Sequence, residues 1–237
     1  MKFSFVVPAF NEERLLAGTL QSIQSAAQVL GDGWELIVCD NNSTDRTAEV
    51  ARAAGARVVF EPHNQISRAR NRGAAAATGE WLVFIDADSV PSAGLFADLK
   101  EAVDSGRCLA GGSTIAAEGS FEFRSAIRFW NAISRAARWA AGSFIFCRKD
   151  AFSELGGFSE ELYASEELEL FQRLKALARR RSSEIIVLHR HPLRTSDRKL
   201  RLYGRSELLG FLGRLVLHPR RTLRDPFACR PWYDGRR

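Results

Sequence analysis

The sequence has 237 residues, of which 46% are hydrophobic and 26% charged, and its formal net charge is +6. This length can bury a sizeable core within one domain, and the composition excludes a collagenous, low-complexity or fully disordered chain. Apolar runs are short, and none approaches the roughly 20 residues that a membrane-spanning helix requires. The early Pro8 is not typical of a signal peptide, so the first residues are predicted to form the opening strand of a cytoplasmic protein.

Alternating strand and helix patterns fill the first 90 residues. Four apolar runs predict buried strands, and the segments between them have apolar residues at helical spacing. Asn11 and Ser43 are suitable N-caps for the first two helices, and Gly55 is suited to end the second. The predicted strands are 3–7, 34–39, 57–60 and 81–85, and the predicted helices are 12–30, 44–54 and 67–77. This order indicates a parallel sheet covered by helices on both faces.

The pattern is less regular after residue 88. No internal repeat or linker separates the later segments, so a single α/β domain is the simplest organisation. The four cysteines are too far apart for a Cys-x-x-Cys pair and are predicted to be buried free thiols. Residue spacing predicts helices at 93–105, 121–139, 149–155, 166–179 and 200–217, and strands at 109–117, 142–147 and 184–188.

Positive charge is concentrated in the last quarter of the chain. Residues 179–237 contain 16 Lys+Arg against 5 Asp+Glu, whereas residues 1–178 contain 18 against 23. This asymmetry predicts an anionic partner, and nucleic acid, a phospholipid surface and a diphosphate-bearing substrate all meet that description. The predicted helix 200–217 is basic and amphipathic. It can lie on an anionic membrane or pack on the domain with its arginines in solvent.

Two aspartates, Asp86 and Asp88, directly follow the fourth predicted strand. Ligands of open α/β sheets bind beyond the carboxyl ends of the strands. Two carboxylates at such an edge can hold a hard divalent cation and leave positions open for phosphate oxygens. The pattern is short, however, and by itself it is more typical of a helix cap and a turn.

Companion motifs in a fixed order accompany this aspartate pair. They are Val6-Val7-Pro8-Ala9-Phe10-Asn11-Glu12-Glu13, Val38-Cys39-Asp40-Asn41-Asn42, Arg68-Ala69-Arg70-Asn71-Arg72-Gly73, Gly142-Ser143-Phe144 and Ser165-Glu166-Glu167. With them, residues 1–195 resemble the family 2 glycosyltransferases, which are nucleotide-sugar enzymes. The resemblance implies the GT-A fold, a Rossmann-like α/β domain with a mostly parallel central sheet. Residues 1–90 would then form the nucleotide-binding half and 91–195 the acceptor and catalytic half, with 196–237 as a basic helix and tail packed on the same domain.

The resemblance also implies a nucleotide pocket. Phe10 is expected to flank the base, Glu12 to accept hydrogen bonds from the ribose, and Asp40 to accept from N3–H of uracil, which favours a UDP-sugar donor. First-turn and turn roles are the alternatives for Glu12 and Asp40. Arg198 and Lys199 can close over the diphosphate, or lie in solvent. The expected nucleotide-binding residues are Pro8, Ala9, Phe10, Glu12, Asp40, Arg70, Asp86, Arg198 and Lys199.

The resemblance also implies a bound divalent metal, Mg²⁺ or Mn²⁺. Asp86 and Asp88 would bind it, and His191 is an additional candidate ligand, although a lone strand histidine is more often structural. The family commonly has Glu-Asp where this chain has Glu166 and Glu167. Glu167 occupies the position of the catalytic base, and Glu166 is the alternative base.

The sugar or acceptor pocket is expected to include Gly142, Ser143 and Trp130, and core packing is the alternative for Trp130. The predicted reaction is an inverting transfer from the nucleotide donor to an acceptor hydroxyl, for which a lipid-linked molecule is one candidate.

Other protein classes also fit parts of the sequence. A catalytically inactive nucleotide-sugar-binding protein is one alternative. A nucleotidyltransferase is another, but the glycine-rich basic loop typical of that class is missing after the first strand. Nucleic acid is not an expected partner, because basic and aromatic residues are not interleaved. The protein is expected in the cytoplasm, with peripheral contact at the inner face of the membrane as an alternative.

Overall fold

The computed structural model describes residues 3–116, 121–140, 142–195 and 219–229. Eight strands in this part of the chain form one sheet with the order β3-β2-β1-β4-β7-β6-β8-β5. The strands are β1 (Phe3–Ala9), β2 (Trp34–Asp40), β3 (Arg57–Phe60), β4 (Trp81–Ile85), β5 (Ser89–Val90), β6 (Cys108–Ala116), β7 (Phe144–Arg148) and β8 (Glu184–Thr195).

Helices connect these strands, and their positions agree closely with the apolar spacing of the sequence. The first helix continues into a short 3₁₀ turn at Gln28–Leu30. The helices in the described residues are α1 (Leu16–Ala27), α2 (Thr47–Ala53), α3 (Ile66–Ala76), α4 (Ala93–Asp104), α5 (Phe121–Ala137), α6 (Lys149–Glu154), α7 (Glu166–Arg180) and α8 (Pro219–Arg224). None of them is long and apolar enough to cross a membrane.

The sheet is parallel in its first half and mixed in its second. β1 pairs in parallel with β2 and β4, and β2 pairs in parallel with β3. β7 then runs antiparallel to both β4 and β6, whereas β6 and β8 are parallel. The predicted mostly parallel α/β sheet is confirmed, and its departure from a regular βα repeat begins where the sequence pattern also becomes irregular.

Two apolar cores lie on opposite faces of the sheet. Phe5 and Val7 of β1 pack with α1 and α4 on one face, and the ring of Phe5 stacks on that of Phe96 with centroids 4.9 Å apart. Val6 and Phe84 belong to the other core, with residues of α3, α6 and α7. Each buried phenylalanine contributes about 2–3 kcal/mol through its apolar area. Helices on both faces are therefore confirmed, as are the four buried free thiols.

Three predicted element ends are wrong, each for a local reason. Asn11 does not cap α1, which begins at Leu16, because the Asn11 side chain instead accepts a hydrogen bond from the backbone N–H of Thr44 at 2.8 Å. Ser43 does not cap α2, since its hydroxyl accepts from the backbone N–H of Asn11 at 3.0 Å. β8 continues to Thr195 because its last residues pair with β5.

Strand direction determines where functional side chains can meet. Because β1, β2 and β4 are parallel, their carboxyl ends lie at one edge of the sheet. β7 runs the other way, so Gly142 and Ser143, which precede it, reach the same edge. The backbone carbonyl of Ser143 accepts a hydrogen bond from the N–H of Asp86 at 3.2 Å.

Candidate active site

The turn after β4 presents two accessible carboxylates. Asp86 and Asp88 are half-buried, whereas Ala87 between them is buried. The carbonyl of Ala87 accepts from the hydroxyl of Thr19 at 2.8 Å, and the N–H of Ser89 donates to the carbonyl of Asp86 at 3.1 Å. These bonds hold the turn, so both aspartates are displayed from a fixed backbone at the expected edge of the sheet.

The chemistry of this pair fits a divalent cation. Carboxylate oxygens are hard donors of the kind that Mg²⁺ and Mn²⁺ take, and such sites usually leave positions for water and phosphate oxygens. Within the described residues, no group of three or more His, Cys, Asp or Glu side chains is arranged to hold a metal. Asp86 and Asp88 are candidate ligands for such a cation, and the remaining positions would be open to a bound diphosphate.

His191 does not complete a set of three ligands with these aspartates. The extended end of β8 passes along α4, and His191 Nδ1 lies 3.1 Å from Asp98 Oδ2. The ring also packs against Gly94, where a Cβ would come within 2.5 Å of it. In the fold, His191 makes a contact between β8 and α4, and its role as a further metal ligand stays a prediction.

Arg70 is the most deeply buried charged side chain at this edge, with 1% of its surface exposed. Its Nη1 donates to Glu166 Oε1 at 2.8 Å, while Nη2 donates to Asp86 Oδ1 at 3.0 Å and to the carbonyl oxygen of Gly142 at 2.8 Å. Its Cζ lies 5.2 Å from the ring centroid of Phe158. Burial lowers the pKa of Arg70, but Asp86 and Glu166 outweigh that effect, so its pKa is raised.

Two glutamates begin α7, and the structure gives them different surroundings. Glu166 is buried and bound to Arg70, whereas Glu167 is half-buried. Burial and the neighbouring charge of Glu166 raise the pKa of Glu167 to about 8, despite the opposing effect of Arg70. Ser165, just before them, has a left-handed backbone with φ of 61°. Such strain in a non-glycine residue is often found at functional sites.

Gly142 lies between these groups. A Cβ at Gly142 would be 3.4 Å from Arg70 Nη2 and 3.6 Å from Glu167 Cδ. We call this group of neighbouring residues the carboxylate cluster: Arg70, Asp86, Gly142, Glu166 and Glu167. Long-range topology brings these residues together from α3, the end of β4, the approach to β7 and the start of α7.

The predicted nucleotide pocket lies at the ends of β1 and β2. Pro8 and Ala9 are buried in β1, Phe10 is half-buried, and Glu12 and Asp40 are 5% and 7% exposed. The adjoining nucleotide-side loops, residues 9–13 and 40–47, are tied together by several hydrogen bonds. Between the loops, the backbone N–H groups of residues 12 and 13 donate to the side chains of Thr47 and Asp45 at 2.8 and 3.1 Å. Within the second loop, the N–H of residue 43 donates to Asp40 at 3.0 Å.

Side chains on α3 and just before it also bind the backbone of the loop 158–162, a role not predicted from the sequence. Asn71 accepts from the N–H of Phe158 and donates to its carbonyl, both at 2.9 Å. Gln65 Nε2 donates to the carbonyls of Glu160 and Leu162 at 2.8 and 3.0 Å. These side chains fix the loop that precedes α7. The only signal in the sequence was the position of Asn71 next to Arg70 in the quoted motif.

For the remaining predicted site residues, the structure gives burial only, or they lie outside the described residues. Ser143 is 8% exposed, and Trp130 is half-buried on α5. Arg198, Lys199 and the predicted basic helix 200–217 lie outside the described residues. The neighbouring Asn131 of α5 exchanges hydrogen bonds with the backbone of Ile115 at 2.8 and 3.1 Å.

Comparison with known proteins agrees with this architecture. The structure is similar to that of the mannosyltransferase PcManGT of Pyrobaculum calidifontis in complex with GDP-Man and Mn²⁺. The TM-score is 0.67 and the sequence identity 18%, over 99% of this chain and 73% of that one. It also resembles, with a TM-score of 0.61 and 21% identity, glucosyl-3-phosphoglycerate synthase of Mycobacterium tuberculosis with Mn²⁺, UDP and phosphoglyceric acid, over 96% and 78%. The fold is therefore that of the GT-A glycosyltransferases.

The sequence comparison is more specific. Residues 4–156 match the model of the family described as "Glycosyl transferase family 2", and the chain belongs to that family. An uncharacterized glycosyltransferase of M. tuberculosis (strain CDC 1551) is 39% identical over 107 residues. That match covers 45% of this chain and 46% of the relative, so less than half of the relative's length is compared.

Proposed function

We propose that this glycosyltransferase moves a sugar from a UDP-sugar to an acceptor hydroxyl with inversion at the anomeric carbon. The carboxylate cluster is the observation that carries the proposal. In this cluster the half-buried Glu167 lies close to Gly142, and Arg70 joins Gly142 to Asp86, one of the two aspartates that would hold the metal and the donor's diphosphate. A group that accepts the acceptor's proton is then available at the same edge of the sheet as the leaving group.

The donor would bind across the ends of β1, β2 and β4. Asp40, at the end of β2, can accept the N3–H of uracil, and this is the basis for preferring UDP. Asp86 and Asp88 would hold Mg²⁺ or Mn²⁺. When bound, the cation would offset the negative charge of the diphosphate. Residues 1–90 would thus form the donor half. The Mn²⁺ and nucleotides in the named solved structures support a metal-assisted nucleotide donor.

Glu167 acts as the general base in this proposal. The acceptor oxygen forms a bond with the anomeric carbon while the bond from that carbon to the diphosphate oxygen breaks. The electron pair leaves with the nucleoside diphosphate, and the proton of the acceptor hydroxyl moves to Glu167. Attack from the face opposite the leaving group inverts the configuration.

Glu166 is less suited to that step. It is 4% exposed and engaged by the Arg70 guanidinium at 2.8 Å, so an acceptor hydroxyl has little access to it. Arg70, which was predicted to contact the nucleotide, donates hydrogen bonds to Glu166 and Asp86, two of the site's own carboxylates. Residues 91–195 would form the acceptor half, including Gly142, Ser143 and Trp130.

The acceptor is proposed only as a hydroxyl-bearing molecule. A lipid-linked acceptor at an anionic membrane surface would suit the basic last quarter of the chain, where Lys+Arg exceed Asp+Glu by 16 to 5. In this form of the proposal, Arg198 and Lys199 assist by offsetting diphosphate charge.

The donor site can be tested by calorimetry with UDP, GDP and TDP, in Mn²⁺ and in EDTA. We expect UDP to bind most tightly, to require Mn²⁺, and to lose at least about tenfold in affinity in Asp88→Ala. Asp104→Ala is the matched control, because Asp104 lies at the end of α4 and pairs with Lys100. If the folded protein binds no nucleoside diphosphate, the proposal is wrong. Equal loss in both variants would remove Asp88 from the site.

A further inference from the structure

We propose that Arg70 is a positioning residue that fixes the donor-side and acceptor-side carboxylates relative to each other without itself contacting substrate. The inference rests on the proposed function, because it assigns a role within the same site. Its basis is the set of contacts made by the guanidinium, which joins Asp86 after β4, Glu166 on α7 and the backbone of Gly142.

Accessibility argues against a direct nucleotide contact. The Arg70 side chain is only 2% exposed, and both of its terminal nitrogens already donate to protein oxygens. Within the described residues, its Nε has no hydrogen-bond partner. Phe158 covers the guanidinium, with its ring centroid 5.2 Å from Cζ. A nucleotide phosphate could reach Arg70 only after one of these contacts was broken.

Geometry explains what the arginine does instead. Its planar fork has a fixed arrangement of donors, so groups bound to Nη1 and Nη2 are held at a defined separation. Here those groups come from segments far apart in sequence: residue 86 and residue 166. The carboxylates of Asp86 and Glu166 would otherwise repel each other, so the positive charge of the Arg70 guanidinium between them also keeps them close. Lysine cannot reproduce this arrangement with a single ammonium group.

The neighbouring base is positioned indirectly. Glu167 follows Glu166 at the start of α7, and its Cδ would lie 3.6 Å from a Cβ on Gly142. Fixing Glu166 and the Gly142 carbonyl therefore fixes both sides of the space that Glu167 occupies. A displacement of about 1 Å in such a group can cost about 100-fold in rate. Arg70 is thus expected to act on turnover more than on donor affinity.

The test compares Arg70→Met and Arg70→Lys with the wild type. UDP affinity is measured by calorimetry with Mn²⁺, and turnover by hydrolysis of whichever of UDP-glucose, UDP-galactose and UDP-N-acetylglucosamine the wild type cleaves fastest. Arg70→Met should keep UDP affinity within about threefold and lose about 100-fold in kcat with little change in KM. Arg70→Lys should recover part of kcat. Arg72→Met is the matched control, because Arg72 is exposed two residues along the same helix.

Folding is addressed by a double variant. Arg70→Met leaves Glu166 buried without its partner, which can destabilise the protein. Arg70→Met/Glu166→Gln removes both charges of that pair, and it should fold while still losing about 100-fold in kcat. Circular dichroism and thermal unfolding check each variant.

Different results separate the two proposals. If the wild type neither binds UDP nor cleaves any donor, the proposed function fails. If the wild type is active but a folded Arg70 variant keeps full kcat, the positioning role is wrong. The role is also wrong if UDP affinity falls more than tenfold while kcat is retained, since that result indicates a nucleotide contact. An equal fall in kcat for Arg72→Met would likewise overturn it.

Discussion

The nucleotide-side loops and the carboxylate cluster lie at the same edge of the sheet but are held in different ways. Several separate bonds tie the loops together, each between one side chain and a nearby backbone group. The cluster depends on one arginine that serves three acceptors from distant segments. Distributed contacts tolerate the loss of one member, whereas a shared central donor does not. We therefore expect substitutions to have larger effects in the cluster.

The largest effect is expected for the proposed base. Glu167→Gln keeps nearly the same shape but cannot accept a proton, so kcat should fall by about 10²–10⁴ while UDP affinity changes little. Stopped assays of donor cleavage and calorimetry measure the two quantities. Glu184→Gln is the control, because Glu184 lies at the start of β8 and contacts Arg107. If Glu166→Gln abolishes turnover in a folded protein and Glu167→Gln does not, Glu166 is the base.

The second effect concerns pH. The pKa of Glu167 is raised to about 8 in the folded protein, against an ordinary value of 4.5. The folded state therefore holds this proton more tightly than the unfolded state does. Its contribution to stability is present below about pH 4.5 and is lost as the pH rises through about 8.

Glu167→Gln removes that titration. Its free energy of unfolding relative to the wild type should increase between pH 5 and pH 8, by on the order of 3–4 kcal/mol. Urea unfolding of both proteins across this range measures the difference. In the wild type, turnover should rise over the same range because the base loses its proton. A constant stability difference between the two proteins would show that Glu167 has no raised pKa.

Local features of the fold could be predicted from the sequence, whereas features set by distant contacts could not. Strand 81–85 matches because a buried strand is a short apolar run. Strand 57–60 also forms as predicted, but at the sheet edge it is half-exposed and not buried. The N-cap role of Asn11 failed because its partner, Thr44, is 33 residues away. Likewise, β8 extends beyond residue 188 because β5 pairs with it, and nothing in the β8 sequence specifies that partner.

The same distinction applies to the site. Asp86 and Asp88 could be placed at the carboxyl ends of the strands because they directly follow β4, and Glu167 was selected from its motif. The contacts of Arg70 could not, since its burial and its bond to Glu166 join residues 96 positions apart in the sequence. The surroundings of His191 could not be predicted for a similar reason. Alternation along the strand specifies which face the residue is on, but only the fold shows that α4 lies beside it.

The smallest effects compare a side-chain deletion in the nucleotide-side loops with one in the segment that supports the carboxylate cluster. Asn71→Ala removes two hydrogen bonds to the backbone of Phe158, so it should lower the free energy of unfolding by about 2 kcal/mol. Ser43→Ala removes one bond to the backbone of Asn11 and should cost about 0.5–1 kcal/mol. Urea unfolding measures both values. Because the loop fixed by Asn71 leads into α7, Asn71→Ala should also reduce donor cleavage, whereas Ser43→Ala should leave it nearly unchanged. A larger loss of stability and turnover in Ser43→Ala would reverse the proposed contrast between distributed and shared contacts.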